Sequence, residues 1–112
     1  MDYNNKIFQS VSNTPNGEVG SDTRFYYYQG DNIVTGTYNG GSIVAGQILG
    51  KIIDEKGTIE MRYQHINDKG ELLTGICTST PEILPSGKIR LLEKYKWTCR
   101  DGSEGESVSE EV

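Results

Sequence analysis

The stretch KIIDEKGTIEMRYQHINDKGELLTGICTS, Lys51 to Ser79, contains the same pattern twice. In each copy an apolar run leads into a short polar sequence that ends in glycine, DEKG or NDKG, and an alternating run follows. These sequences suit a type I turn closed by a left-handed glycine, here Gly57 and Gly70, which joins antiparallel strands. The stretch therefore predicts consecutive β-hairpins.

The same alternation continues on both sides of this stretch and predicts a chain made of strands. No segment shows an apolar stripe with the 3.6-residue period of a helix. Short strands joined by short turns pair antiparallel, and closure removes the exposed edges of such a sheet. We therefore predict a closed, antiparallel, up-and-down β-barrel of about eight strands, with a sandwich as the alternative. The predicted strands are Phe8–Ser12, Arg24–Gln29, Ile33–Asn39, Ile43–Ile53, Thr58–Ile66, Leu72–Ser79, Lys88–Trp97 and Gly105–Ser109.

Length, charge and hydropathy limit the classes of protein that fit. The 112 residues and 14 glycines suit a single barrel domain, residues 1–112, with about six N-terminal and a few C-terminal residues frayed. A net charge of −5 argues against nucleic-acid binding, which needs clustered Lys and Arg. The N-terminal MDYNNKIFQS lacks a signal pattern, and no apolar run approaches the ~18 residues of a membrane span. We expect a cytoplasmic protein that binds neither nucleic acid nor membranes.

The two cysteines are expected to be free thiols. In the hairpin predicted around TPEILPSGK, Cys77 lies opposite Arg90, so Cys99 is roughly 30 Å further along the ladder, beyond disulfide reach. Neither cysteine has metal-site spacing with His65, the only histidine. We predict no disulfide, no metal and no cofactor.

The turns also predict the register, and hence which side chains share a face. Gly40-Gly41 and Asp31-Asn32 suit two-residue turns, while DEKG and NDKG suit longer ones. The predicted cross-strand pairs are Tyr38–Ile43, Gly36–Ala45, Tyr27–Gly36, Gln29–Val34, Ile53–Ile59 and His65–Leu73.

Following these pairs assigns one apolar-rich face to the interior. It contains Phe25, Tyr27, Gln29, Val34, Gly36, Tyr38, Ile43, Ala45, Gln47, Leu49, Ile59, Met61, Tyr63, His65, Leu73, Gly75, Cys77, Ser79, Ile89, Leu91, Glu93, Tyr95 and Trp97. The outer face is mainly polar, with an apolar stripe that would cover the barrel or form a homo-oligomer interface. The stripe consists of Val44, Ile48, Ile52, Ile76 and Leu92.

Aromatic and ionisable side chains on the inner face form the candidate site. An eight-stranded barrel is just wide enough to be filled by side chains or to hold one small ligand. An inward carboxylate such as Glu93 needs partners, for which Tyr hydroxyls, His65 or a ligand are the candidates. We predict a pocket for a small ligand of apolar or aromatic character, in which rings supply apolar contact and Glu93 and His65 fix a polar group. Its predicted lining is Tyr27, Tyr38, Tyr63, His65, Glu93, Tyr95 and Trp97.

Two other functions fit the same residues. The first is a barrel enzyme that uses His65 and Glu93 as acid and base, although no recognisable catalytic constellation is present, and Cys77, opposite Met61, lies away from His65. The second is a structural or interaction protein whose barrel is filled by its own side chains. Inward-facing Gly36 and Gly75, which leave space beside bulky rings, favour a pocket.

Two segments resemble a family of small bacterial proteins that is similar in fold to the avidin and lipocalin-like calycin barrels. They are RYQHINDKGELLTGICTSTPE, Arg62 to Glu82, and GKIRLLEKYKW, Gly87 to Trp97. The resemblance runs from Phe25 to the C-terminal GESVSEEV and implies a barrel. It carries over no biotin-binding residues. Members of the family are often labelled N-acetylglutamate synthase, but this chain has no pyrophosphate-binding loop at a helix N-terminus for acetyl-CoA, so that activity is not expected.

Overall fold

The computed structural model describes residues 1–112 and consists of eight strands without a helix. Every predicted strand is present, most of them longer by one to four residues. The strands are β1 (Lys6–Asn13), β2 (Arg24–Gly30), β3 (Ile33–Gly40), β4 (Ile43–Ile52), β5 (Ile59–Asn67), β6 (Leu72–Ile83), β7 (Ile89–Trp97) and β8 (Glu104–Glu111).

The strands form a closed barrel in chain order. Each strand pairs antiparallel with the next, and β8 closes the barrel against β1. The predicted up-and-down barrel is therefore confirmed, and the alternative of a sandwich is wrong. Because the barrel is closed, every strand has two neighbours, and a closed sheet of short strands avoids edge-to-edge association.

Two of the predicted registers are correct because their turns have the expected geometry. Asp31 adopts a left-handed conformation in the β2–β3 turn, and Tyr27 lies opposite Gly36 as predicted. Gly70 is also left-handed, with a φ of 76°, and His65 lies opposite Leu73.

The predicted register between β3 and β4 is wrong by three residues. Tyr38 lies opposite Gly46 rather than Ile43. The turn is formed by Gly41 and Ser42, not by Gly40 and Gly41, so Gly40 lies opposite Ile43, and an irregularity between Tyr38 and Gly40 shifts the ladder by one more residue. A β-bulge adds an unpaired residue and changes which face the following side chains occupy. The interior positions of β4 after Ile43 are consequently Gly46, Ile48 and Gly50, whereas Ala45, Gln47 and Leu49 face outward.

The registers of the β4–β5 and β6–β7 hairpins also differ from the prediction. Ile59 pairs with Ile52 rather than Ile53. Cys77 lies opposite Tyr95 rather than Arg90, because β6 continues through Pro81 to Ile83. Proline is tolerated there because β6 has passed its last pair with β5 and has a neighbour on one side only.

Four tyrosines on the inner face lie opposite glycines on the neighbouring strand. The pairs are Tyr27–Gly36, Tyr38–Gly46, Tyr63–Gly75 and Tyr95–Gly105. A Cβ at Gly46, Gly75 or Gly105 would collide with the opposing ring, so the space beside these glycines is already occupied. The expectation that Gly75 leaves space for a ligand is therefore wrong: Tyr63 covers it.

The N-terminal residues close the end of the barrel that carries the β2–β3 and β4–β5 turns. Tyr3 is fully buried against Phe8 and Tyr27, and its hydroxyl donates a hydrogen bond of 2.6 Å to the carbonyl of Gly57. The Tyr3 ring therefore fills the space between the strands at this end, whereas its neighbours Asp2 and Asn4 are exposed. At the C-terminus, the amide of Val112 donates to the carbonyl of Ile7.

The predicted apolar stripe on the outer face is only partly present. Ile48 points into the core, so it does not belong to the proposed stripe, while Val44 and Leu92 are exposed as expected. The cysteines, Cys77 and Cys99, are both free, as predicted. The structure contains no helix with the length and hydropathy needed to cross a bilayer.

Candidate functional site

All seven residues of the predicted pocket border one cavity of about 60 Å³ inside the barrel. They are Tyr27, Tyr38, Tyr63, His65, Glu93, Tyr95 and Trp97. Strand alternation brings them together because each occupies an inward position on β2, β3, β5 or β7. Their role in ligand binding stays a prediction.

Trp97 is the centre of the aromatic cluster. Its ring centroid lies 5.8 Å from that of Tyr63, 6.0 Å from His65 and 6.1 Å from Tyr95, in edge-to-face geometry. This is the arrangement that aromatic quadrupoles favour. The cluster lies at the end of the barrel that carries the β3–β4 and β5–β6 turns.

A chain of hydrogen bonds crosses this end of the barrel. The Tyr38 hydroxyl lies 2.8 Å from His65 Nδ1, and His65 Nε2 lies 2.7 Å from Glu18 Oε1. With a proton on Nε2, His65 donates to Glu18 and accepts from Tyr38, so both ring nitrogens are satisfied. Burial raises the pKa of Tyr38 far above its ordinary range, so this hydroxyl stays protonated.

Glu18 is a residue of this site that the sequence does not predict. Its second oxygen accepts from Asn67 Nδ2 at 3.0 Å and lies 3.4 Å from Arg100. Burial opposes ionisation of Glu18, but the hydrogen bonds from His65 and Asn67 and the charge of Arg100 together lower its pKa. Glu18 is therefore held as a carboxylate at the mouth of the cavity.

Glu18 belongs to the connection between β1 and β2, residues 14–23, which we call the cap segment. Gly17, Glu18 and Val19 of this segment border the cavity. The indole Nε1 of Trp97 donates to the carbonyl of Asn16 at 3.0 Å, and the Tyr95 hydroxyl lies 3.0 Å from Asn16 Oδ1. The aromatic cluster thus holds the cap segment across the end of the barrel.

The connection length is the signal that would have identified the cap segment. It spans ten residues, whereas hairpin loops usually contain two to five. A long polar connection at the end of a barrel is a candidate cover for the interior. The identity of Glu18 as the partner of His65 has no comparable signal in the sequence.

Glu93 is half-buried in the middle of β7, but its partners are not the predicted ones. Its carboxylate accepts hydrogen bonds of 2.9 Å from Ser107 and Ser109 and of 3.3 Å from Ser79. The expectation that tyrosines or His65 satisfy it is wrong, because β7 places Glu93 directly opposite Ser79 on β6 and Ser107 on β8. Burial raises the pKa of Glu93 despite these three donors.

His65 and Glu93 have separate hydrogen-bond partners. His65 binds Tyr38 and Glu18, Glu93 binds three serines, and no hydrogen bond joins the two. Burial raises the pKa of the Cys77 thiol far above its ordinary range, which disfavours the reactive thiolate. The structure has no group of three or more His, Cys, Asp and Glu residues placed to hold a metal ion.

Comparison with known proteins agrees with the barrel. A family model described as avidin-like protein matches residues 1–112. Searches of the curated proteins and of the solved structures returned no match. The resemblance to avidin-like barrels is confirmed by this match over the whole sequence and by the eight-stranded closed barrel. The chain belongs to the avidin-like protein family.

Proposed function

We propose that this protein binds a small molecule inside its barrel, in the cavity beneath the cap segment. The observation that carries the proposal is the cavity itself, with a lining of aromatic rings and a few polar groups. Binding sites for small molecules typically combine apolar walls with a few polar groups that orient the ligand. Membership of the avidin-like family supports an interior site.

The size of the cavity restricts the ligand. Its volume of about 60 Å³ is well below the roughly 300 Å³ at which ordinary ligand pockets begin. A water molecule needs about 10–15 Å³ by this measure, so the cavity accommodates about four to six heavy atoms. A larger ligand would have to displace the cap segment.

The cap segment is the proposed entrance. Polar contacts hold most of it, including the bonds of Asn16 to Trp97 and of Glu18 to His65, while Val19 packs against the core. Segments with few buried apolar contacts open more readily than core strands. We infer that opening of residues 14–23 admits the ligand.

Trp97 provides a direct test, because it is the only tryptophan and borders the cavity. Small molecules of up to about six heavy atoms would be screened for a change in Trp97 fluorescence. We expect binding to be lost in Cys77→Met, which fills the cavity from β6, and kept in Thr78→Met, which adds the same side chain to the outer face. If no compound changes the Trp97 signal, or Cys77→Met binds normally, the proposal is wrong.

A second candidate is an interaction protein whose barrel is filled by its own side chains. The small cavity supports this alternative, as do the exposed side chains of Val44, Ile66 and Leu72 on neighbouring strands. A second copy of this chain is the proposed occupant of this surface. Sedimentation analysis should then show a dimer or larger assembly that Leu72→Lys dissociates, and a monomer at all concentrations would contradict it.

A further inference from the structure

The charges around the cavity are unbalanced. Two carboxylates, Glu18 and Glu93, border it, and no Lys or Arg does. Arg100 reaches Glu18 from outside at 3.4 Å, but Glu93 forms no ion pair, and its hydrogen bonds come from serine hydroxyls. Hydroxyl donors stabilise a buried carboxylate but supply no positive charge, so the interior favours a cation over an anion.

The aromatic lining favours a cation for an independent reason. The faces of Tyr and Trp rings carry negative electrostatic potential and attract cations within about 6 Å of their centroids. Trp97 already shows this attraction, because the guanidinium of Arg100 lies 5.8 Å from its ring centroid. Tyr27, Tyr63 and Tyr95 add three more rings to the same cavity.

The volume of the cavity limits the size of a cation that it can hold. Space for about four to six heavy atoms admits a methylated ammonium ion but excludes a long polyamine or a guanidinium side chain with its stem. Alkyl groups of such an ion would contact the rings, while its charge would lie near Glu93. Aromatic rings beside a carboxylate are a recurrent means of recognising alkylammonium groups.

We propose that the interior cavity selects a small alkylammonium ion, which Glu93 and the rings of Tyr27, Tyr63, Tyr95 and Trp97 recognise together. This ligand class rests on the proposed function, because it requires that the cavity admit a small molecule. It goes further by naming the charge of the ligand and the residue that selects it.

The test compares two probes of similar size and shape but different charge, tetramethylammonium chloride and tert-butanol. Each is titrated into the protein, with potassium chloride as the control for ionic strength. Affinity is measured by calorimetry, and the site is located by the NMR shift of the Trp97 indole proton. We expect the cation to bind at least about tenfold more tightly than the alcohol.

Two variants test the role of Glu93. Glu93→Gln keeps the shape of the side chain and should reduce the preference for the cation to about threefold or less. Glu106→Gln removes the same charge from the exposed face of β8 and should leave the preference unchanged. The comparison of the two probes on the unaltered protein stands even if Glu93→Gln fails to fold.

The outcomes separate this inference from the proposed function. If the alcohol binds as tightly as the cation, the ligand class is wrong while interior binding stands. If Glu93→Gln retains the full preference, Glu93 is not the selecting residue. If neither probe shifts the Trp97 proton, both the ligand class and the proposed interior site are wrong.

Discussion

At the scale of single residues, Glu93 dominates the electrostatics of the interior. It lies half-buried between β6 and β8, and its two oxygens accept three serine hydrogen bonds. These donors do not compensate fully for the loss of water, and the pKa of Glu93 is raised by burial. A carboxyl group of this kind favours folding in its protonated form and opposes folding in its ionised form.

Glu93→Gln should therefore stabilise the protein at neutral pH in a buffer without organic cations. Because the folded-state pKa is raised, the stability that Glu93 contributes is present below its ordinary pKa of about 4.3 and is lost as pH rises through the folded value. The unfolding free energy of the variant should exceed that of the unaltered protein at pH 7 by more than the ~0.5 kcal/mol typical of surface changes. The difference should shrink towards pH 4.

Urea denaturation at several pH values measures this difference. Glu106→Gln, on the exposed face of the neighbouring strand, is the matched control and should change stability by no more than about 0.5 kcal/mol. If Glu93→Gln is less stable than the unaltered protein at pH 7, or if the difference grows as pH falls, ionised Glu93 does not oppose folding.

The position of Glu93 could be predicted from the sequence, but its partners could not. Strict alternation along β7 places Glu93 on the same face as Leu91 and Tyr95, and that face is interior. Its partners depend on the β6–β7 register. The predicted register, which centres the hairpin on TPEILPSGK, differs from the observed one. Continuation of β6 through Pro81 depends on the absence of a β5 neighbour there, which a single strand pattern does not reveal.

At the scale of elements, Glu18 joins the cap segment to β5. Its carboxylate contacts His65, Asn67 and Arg100, while Glu71 shares the last two of these partners. The pKa of Glu18 is lowered by these hydrogen bonds and charges, against the opposing effect of burial. The ionised form therefore holds the cap segment closed.

We expect the cap segment to open in acid, below the ordinary pKa of a glutamate carboxyl. Because the folded-state pKa of Glu18 is lowered, its stabilising effect is present above the ordinary carboxyl pKa of about 4.3 and is lost as pH falls through the folded value. Trp97 is 4% exposed and bonded to Asn16, so opening should increase its quenching by acrylamide.

A variant separates this effect from general acid unfolding. Glu18→Gln should show increased quenching at pH 7 and little further change above the pH of global unfolding. Glu55→Gln, in the turn at the opposite end of the barrel, should behave like the unaltered protein. Quenching that is independent of pH in the unaltered protein, down to global unfolding, would contradict a role for Glu18 in closure.

The tyrosine–glycine pairs between neighbouring strands are packed too closely to admit a larger residue at the glycine. Gly46→Ala places a methyl group against the ring of Tyr38, which is 2% exposed and bonded to His65. Overpacking of a buried site typically costs about 1–3 kcal/mol, and we expect a loss in that range. Gly30→Ala, which meets no atom within 4 Å, should be neutral or slightly stabilising. Urea denaturation measures the unfolding free energy of both variants. Equal values would contradict the close approach of the Tyr38 ring to Gly46.

The existence of β4 could be predicted, but not its inward face. Alternation from Ile43 assigns Ala45, Gln47 and Leu49 to the interior, and only the bulge reverses this assignment. Glycines at Gly46 and Gly50 indicate an interruption or a close approach, but they do not give its position along the strand.

At the scale of the whole molecule, the barrel is closed at both ends by segments outside the regular sheet. The cap segment covers one end, and Tyr3 fills the other, against Phe8 and Tyr27. The cavity lies between these two closures. The barrel architecture follows from turn chemistry and alternation, whereas the two closures depend on tertiary contacts that strand patterns do not encode.

Tyr3→Ala should therefore destabilise the whole barrel. Removing a fully buried ring and its hydrogen bond to Gly57 is expected to cost about 3–5 kcal/mol. Tyr28→Ala, at an exposed outer position on β2, should cost much less. Thermal denaturation followed by circular dichroism compares the two, and a Tyr3→Ala variant as stable as Tyr28→Ala would show that the N-terminal closure is not part of the core.

The proposed function requires that a small molecule bind inside the barrel. The most direct measurement is a set of intermolecular nuclear Overhauser effects from the methyl protons of tetramethylammonium in an isotope-labelled sample. We predict effects to the ring protons of Trp97, Tyr63 and Tyr27, which border the cavity. Effects confined to outer-face residues such as Lys94 and Thr78, or no effects at millimolar probe concentrations, would contradict the claim.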